Sequence, residues 1–206
     1  MLEILTGVLQ GLTEFLPISS SGHLVIISSL SSELDLNTND IAFLHIGTLF
    51  SIVFFYRKRI FEIFEDLDTF VFYFKIILAG IIPAVLIGLL TPIQNIIDES
   101  PNLILITGAS YLIFSLLLIF SGKINNSEAL NIRDITVSQA FVIGIAQSIA
   151  LLPGVSRSGV TLLTAIYLGV KKADAIYYSL LLGIPTIFGA WSCLLYTSPS
   201  PRDRPL

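Results

Sequence analysis

Cysteine is nearly absent from this sequence. Cys193 stands alone among 206 residues, so no disulfide can close within the chain and thiol usage marks no redox compartment. Charge is scarce too: Asp, Glu, Lys and Arg make up 13% of the residues, about half the share of a soluble domain. The net charge of −4 gathers into no basic patch, so nothing suggests nucleic acid as a partner. HExxH, CxxC and Walker patterns do not occur. Glu3 is the first charge after Met1, so the basic opening of a cleaved signal peptide is missing. Strict apolar–polar alternation is missing as well, which excludes the strands of a membrane barrel. What remains is 54% hydrophobic, with mean hydropathy +0.86, and it lies in long runs. Those runs define an all-α polytopic membrane protein, with one membrane domain over residues 1–191.

Two polar interruptions organise the runs. The first is Leu12–Leu24, LTEFLPISSSGHL, and the second is Leu151–Thr161, LLPGVSRSGVT. A shift of 137 positions aligns Gly7 with Gly144, Gln10 with Gln147, Ser19 with Ser156, Ser21 with Ser158 and Gly22 with Gly159. The prolines, Pro17 and Pro153, miss by one position. Residues 1–16 and 23–30 are each too short to cross a hydrocarbon core, which takes about 20 helical residues. They read as a re-entrant helix pair hinged at the polar stretch. Val137–Leu152 and Val160–Val170 read as the second pair. The plainer alternative is two complete spans, each kinked by Pro and Gly.

The segments between the breaks give sidedness. Residues 31–40 form an acidic polar loop. Ile41–Tyr56 is a short span ending in Arg57, Lys58 and Arg59, which mark a cytoplasmic edge. Phe61–Thr69 reads as interfacial, Val71–Leu90 as a span kinked at Pro83, and Thr91–Asn102 as an acidic outer loop. Leu103–Phe120 spans again, and Lys123 and Arg133 place the next loop inside. Lys171 and Lys172 follow the second broken pair, and Ala175 to about Trp191 spans outward. The first pair then enters from outside and the second from inside. The result is an inverted-topology repeat, half one about residues 1–90 and half two about 103–191 and incomplete. Interrupted helices at corresponding positions of such halves point to a site near the midplane. Residues 192–206 read as a non-helical tail, foreign to the natural protein and similar to translated adaptor sequence.

The chemistry-bearing residues sit in the breaks. Glu14 is an ionisable group within apolar sequence, a placement that marks function by default. Gln10 lies one turn before it on the same helix face. Arg157, flanked by Ser156 and Ser158 at the start of a helix, offers a guanidinium fork, hydroxyls and backbone N–H groups to a phosphate. A simple Glu14–Arg157 pair locking the halves is the alternative, and it leaves the serines unexplained. Ser19, Ser20 and Ser21 open the first return helix, where capping accounts for one of them. His23 lies three residues after Ser20 and can serve as its base or as a nucleophile itself. Thr161, one turn past Arg157, adds a hydroxyl. His45 shows no partner in the sequence and reads as structural or at the rim. This set suits a phosphate ester or anhydride whose other end is lipid. A divalent ion on Glu14 would offset charge there. A lipid-phosphate transporter is the competing reading, because broken-helix repeats are also a transporter architecture.

At QGLTEFLPISSSGH and PGVSRSGVT, within a stretch from about Leu2 to Ala190, the sequence closely resembles the bacterial undecaprenyl-diphosphatase family. The resemblance implies hydrolysis of undecaprenyl diphosphate to the monophosphate in the bacterial inner membrane. That step recycles the lipid carrier for wall polymers and confers bacitracin resistance. It also implies dependence on a divalent cation, Mg2+ or Ca2+, and a site open to the periplasmic face; a homodimer is a separate expectation, and the sequence leaves the oligomeric state open. The family's glutamate motif falls on Gln10 and Glu14; the first position is often Glu in the family, so the metal role rests on Glu14. The family's serine and histidine fall on Ser20 and His23, and its arginine motif on Ser156, Arg157 and Thr161. The motif leaves the nucleophile open between Ser20 and His23. Family members continue into further helices after a PTIFGA-like stretch, so this sequence reads as truncated.

Overall fold

The computed structural model describes residues 2–30, 38–121 and 129–197, and they are helical almost throughout. Nine α-helices are formed among them: α1 (Leu2–Thr13), α2 (Ser20–Leu30), α3 (Thr38–Ile63), α4 (Leu67–Leu90), α5 (Ile93–Asp98), α6 (Leu103–Ser121), α7 (Val137–Ser148), α8 (Arg157–Tyr167) and α9 (Lys172–Thr197). No strand is present among the described residues, only an isolated bridge between Leu130 and Val170. Among the described residues three helices are long and apolar enough to cross a membrane: α4, α6 and the Lys172–Ser192 part of α9. The pieces on either side of the two breaks are shorter, with α1, α2 and α8 at 12, 11 and 11 residues. At 1.5 Å per residue, each covers roughly 17 Å of a core about 30 Å thick.

Several boundaries differ from those read in the sequence, for local reasons. α3 does not stop at Arg57 but carries Arg57, Lys58 and Arg59 within its last turns and ends at Ile63. Arg59 is held there by Asp174 of α9 at 3.6 Å and lies over the Tyr177 ring at 4.5 Å. The stretch expected at the interface therefore divides. A turn at Phe64–Asp66 separates α3 from α4, whose first turn Asp66 caps by accepting the Thr69 N–H at 2.7 Å. The Thr69 hydroxyl bonds the same carboxylate and holds Asp66 below the ordinary carboxylate range. Arg133 then donates to the Thr69 hydroxyl at 3.0 Å, tying the segment before α7 to the start of α4. Pro83 sits within α4, as expected, and α4 runs through it. The loop after Leu90 holds the short helix α5. α8 starts at Arg157, three residues before the expected start, because Ser156 caps it. α9 runs to Thr197, past Trp191. Lys123 and most of the acidic 31–40 loop lie outside the described residues.

The polarity of the fold is inside out. Phe50, Phe54, Phe55, Leu89, Leu105, Leu112 and Ile119 are exposed, while Gln10, Glu14, Ser19, Ser20, Thr107, Gln147, Ser156, Thr161 and Ser179 are buried. A water-soluble domain shows the reverse, and an apolar exterior on this scale calls for lipid around it. Inside, Tyr73, Ile76, Ile143, Tyr177, Tyr178 and Leu182 form the main core where α4, α7 and α9 meet. Helices approach closely at glycine. A Cβ on Gly144 of α7 would lie 2.7 Å from the Gly80 carbonyl oxygen of α4. Beside it the Gln147 amide donates to that same carbonyl at 3.3 Å.

Candidate active site at the two breaks

The two breaks are built alike. Ser19 and Ser156 each stand one residue before a helix of 11 residues, α2 and α8. Each hydroxyl accepts the backbone N–H three residues on, from Gly22 at 3.4 Å and from Gly159 at 3.1 Å. Each also lies beside the hydroxyl two residues on, Ser21 at 3.4 Å and Ser158 at 3.2 Å. These pairs obey the 137-residue shift read in the sequence. Capping by a serine side chain satisfies one of the orphan N–H groups that every helix start exposes. The lack of a Cβ at the matched glycines lets α6 lie against both breaks. A Cβ on Gly22 would lie 2.7 Å from the Tyr111 ring, and one on Gly159 would lie 2.6 Å from the Phe114 ring.

The breaks meet at Glu14. Its carboxylate is 8% exposed, and Arg157, Ser20 and Gln10 donate to it. Arg157 Nη2 lies 2.8 Å from Oε1, while Ser20 Oγ and Gln10 Nε2 lie 2.5 Å and 3.0 Å from Oε2. The Ser158 hydroxyl donates to the Glu14 carbonyl at 3.2 Å, so main chain and side chain are both joined across the halves. One strong donor is left over, because Arg157 Nη1 is buried without a partner. One acceptor is left over as well, the buried Gln10 Oε1.

Two residues that the sequence reading left outside the site belong to it. His45 of α3 brings Nε2 to 3.4 Å from Glu14 Oε2, a partner that the sequence did not show. Tyr111 of α6 puts its hydroxyl 2.7 Å from His23 Nδ1 and 2.8 Å from the Ser19 carbonyl oxygen. No local spacing could have found either one, since their partners lie 31 and 88 positions away. The Ser19 carbonyl also lies 2.7 Å from His23 Nδ1. A carbonyl can only accept, so the tautomer with the proton on Nδ1 makes this contact a hydrogen bond and leaves the lone pair on Nε2. Ser19 adopts φ 59°, a left-handed conformation that costs about 1–3 kcal/mol outside glycine. Tyr111 and His23 hold its carbonyl and so hold that conformation.

The expected Ser20–His23 pairing is replaced. The Ser20 hydroxyl donates to Glu14, and His23 is anchored to Ser19 and Tyr111. Thr161 is fully buried, and its hydroxyl is committed to the Arg157 carbonyl at 2.9 Å and to the Ser179 hydroxyl at 2.6 Å. It braces the turn that carries Arg157. Chemically, the assembly offers a hydroxyl bonded to a carboxylate, a guanidinium with a spare N–H, and an imidazole with a free ring nitrogen. Such a set handles an anion and can transfer protons beside it.

Comparison with known proteins gives one family. The family model described as "Bacitracin resistance protein BacA" matches residues 3–201. An undecaprenyl-diphosphatase of Methanococcus maripaludis strain C5 is 37% identical over 197 residues, covering 92% of this chain and 76% of the relative. An undecaprenyl-diphosphatase of Thermosipho africanus is 40% identical over 195 residues with the same coverage, 92% and 76%. One of Christiangramia forsetii is 40% identical over 195 residues, covering 90% of this chain and 72% of the relative.

Proposed function

This chain belongs to the bacitracin resistance protein BacA family, and from that premise we propose how its two breaks work as the active site of a membrane undecaprenyl-diphosphatase. It is a hydrolase that removes the terminal phosphate of undecaprenyl diphosphate in the bilayer, leaving undecaprenyl phosphate and inorganic phosphate. The contact that carries the proposed chemistry is the one between Ser20 Oγ and Glu14 Oε2 at 2.5 Å, with Arg157 on the other carboxylate oxygen at 2.8 Å.

Arg157 Nη1 and the N–H groups opening α2 and α8 take the phosphate oxygens. Ser20 gives its proton to Glu14 as its oxygen attacks the terminal phosphorus. The bond to the bridging oxygen breaks, and undecaprenyl phosphate leaves. Water then attacks the phosphoserine, losing its proton to His23 Nε2, while the Ser20 oxygen leaves and takes back the proton held by Glu14.

A divalent cation fits as part of the same reading. Among the described residues no three His, Cys, Asp or Glu side chains group together. The chain therefore supplies Glu14 and the unpartnered Gln10 Oε1. Mg2+ characteristically accepts so few protein ligands, completing its shell with water and substrate phosphate. When bound, Mg2+ or Ca2+ would withdraw charge from the diphosphate oxygens.

The two breaks are proposed as re-entrant pairs of an inverted repeat in the bacterial inner membrane, with the site nearer the outer face. The basic residues support this orientation. Arg59, Arg133 and Lys171 contact Asp174, Thr69 and Asn131, so they gather at one end of the bundle. His45, which touches Glu14, lies 14 residues before Arg59 on α3. That is about 21 Å along the helix, most of the way across a core of about 30 Å. A homodimer belongs to the same reading and is checked by the mass of the protein–detergent particle.

The test is phosphate release from undecaprenyl diphosphate by the purified chain, combined with transbilayer movement of labelled lipid in liposomes. Release that stops with a chelator and returns with Mg2+ or Ca2+ is expected. Movement of the lipid without release would instead identify a transporter. Replacing Tyr111 by phenylalanine should lower kcat about tenfold with little change in KM, because the base loses its anchor while phosphate binding is untouched. A Tyr111→Phe enzyme as fast as the parent would show that His23 needs no such anchor.

A further inference from the structure

α9 meets the arginine-bearing turn with two small residues one helical turn apart, Ser179 and Gly183. The Ser179 hydroxyl donates to the Ser158 carbonyl at 2.9 Å and shares a hydrogen bond with Thr161 at 2.6 Å. Gly183 is buried directly against the guanidinium. A Cβ placed on it would lie 3.1 Å from Arg157 Cζ and 3.2 Å from Nη2, and would overlap Nη1, the atom without a partner. Small residues four apart let membrane helices approach this closely. The crowded atoms are the far end of a flexible side chain and not backbone. The fold can therefore absorb a methyl group at position 183, and the guanidinium cannot keep its place.

We infer that α9 is the seat that sets the position of Arg157, with Gly183 as the positioning residue and Ser179 fixing the turn beneath it. A methyl at 183 pushes Nη1 by roughly 1.5 Å, the distance needed to restore ordinary van der Waals contact. Displacement on that scale costs up to about 100-fold in a positioned reaction. The activity half of the test rests on the phosphatase reading; the binding half does not.

The experiment compares the full chain with Gly183→Ala, Arg157→Ala and the double variant in detergent. The control is Gly189→Ala, a helical glycine of α9 with nothing within 4 Å of its added Cβ. Gly183→Ala is expected to lower kcat/KM about 10- to 100-fold, yet to change it less than about twofold once Arg157 is already alanine, since a residue acting through another loses its effect when that other is gone. The rise in unfolding temperature on adding inorganic diphosphate should be lost in Gly183→Ala, while its unfolding temperature without ligand falls no further than that of Arg157→Ala, since the displaced guanidinium still lies near Glu14. Gly189→Ala should match the parent in both. Equal losses on both backgrounds, an unliganded unfolding temperature below that of Arg157→Ala, or diphosphate binding like the parent's would each overturn the inference. A parent that responds to diphosphate but hydrolyses nothing defeats the phosphatase reading alone, and the binding comparison still decides Gly183. A parent blind to diphosphate overturns both.

Discussion

Arg157→Ala is expected to slow phosphate release by about 1,000-fold, the scale on which a single preorganised cationic donor acts in phosphoryl transfer. The variant should also lose stability. The Glu14 carboxylate is buried, and Arg157 lies 2.8 Å from one of its oxygens. Removing one member of such a pair typically costs about 3–5 kcal/mol, because the remaining charge is stranded. The two effects separate in a further variant. Glu14→Gln combined with Arg157→Gln leaves no stranded charge, so denaturation should return close to the parent while hydrolysis stays lost. Recovery of hydrolysis along with stability would show that the pair only locks the halves together. Chemical denaturation and phosphate release on the same preparations decide between these outcomes.

Gly154→Ala is expected to destabilise the fold by roughly 4 kcal/mol, from backbone strain and overpacking of similar size. Gly154 adopts φ 92°, a left-handed backbone that side chains rarely occupy. An added Cβ would lie 2.5 Å from the Thr107 carbonyl oxygen, 3.1 Å from Ser110 Cβ and 3.2 Å from the Tyr111 nitrogen. None of those atoms is the free end of a flexible chain, so α6 itself must shift. That shift would draw Tyr111 away from His23, and slower hydrolysis should accompany the lost stability. Gly108→Ala, on the same helix with open space around its Cβ, should stay within about 1 kcal/mol of the parent or gain slightly from helix propensity. Equal unfolding of both variants would mean that the second break is softer than its geometry implies.

The sequence exposed the parts of this site that local physics controls. Pro17 and Pro153 lie in the breaks, serines cap the helices that follow, and an acid at 14 and a base at 157 stand out against apolar surroundings. Glu14, Ser20 and Arg157 do meet. Long-range partners were hidden. His45 and Tyr111 look like ordinary helix residues, and only the packing of α3 and α6 against the first break gives them a role. The Ser20–His23 pairing failed because helical spacing says which side chains share a face, not which neighbour is the better acceptor. Glu14, coming from the preceding turn, reaches the hydroxyl first. Helix ends were misplaced where distant contacts extend them, as Asp174 and Tyr177 do for the basic end of α3.

The inside-out polarity carries a consequence for how the sequence can drift. Phe55 and Leu112 face outward, toward acyl chains that are fluid and reshape themselves around any oily group. Swaps among leucine, phenylalanine and isoleucine at such sites should be nearly free. Ser179 and Gly183 face fixed partners instead: an added carbon at 183 displaces the Arg157 guanidinium, and the Ser179 hydroxyl is committed to the Ser158 carbonyl and Thr161. Divergence in this chain should accumulate on its greasy skin and stall at its small, hydroxyl-bearing centre.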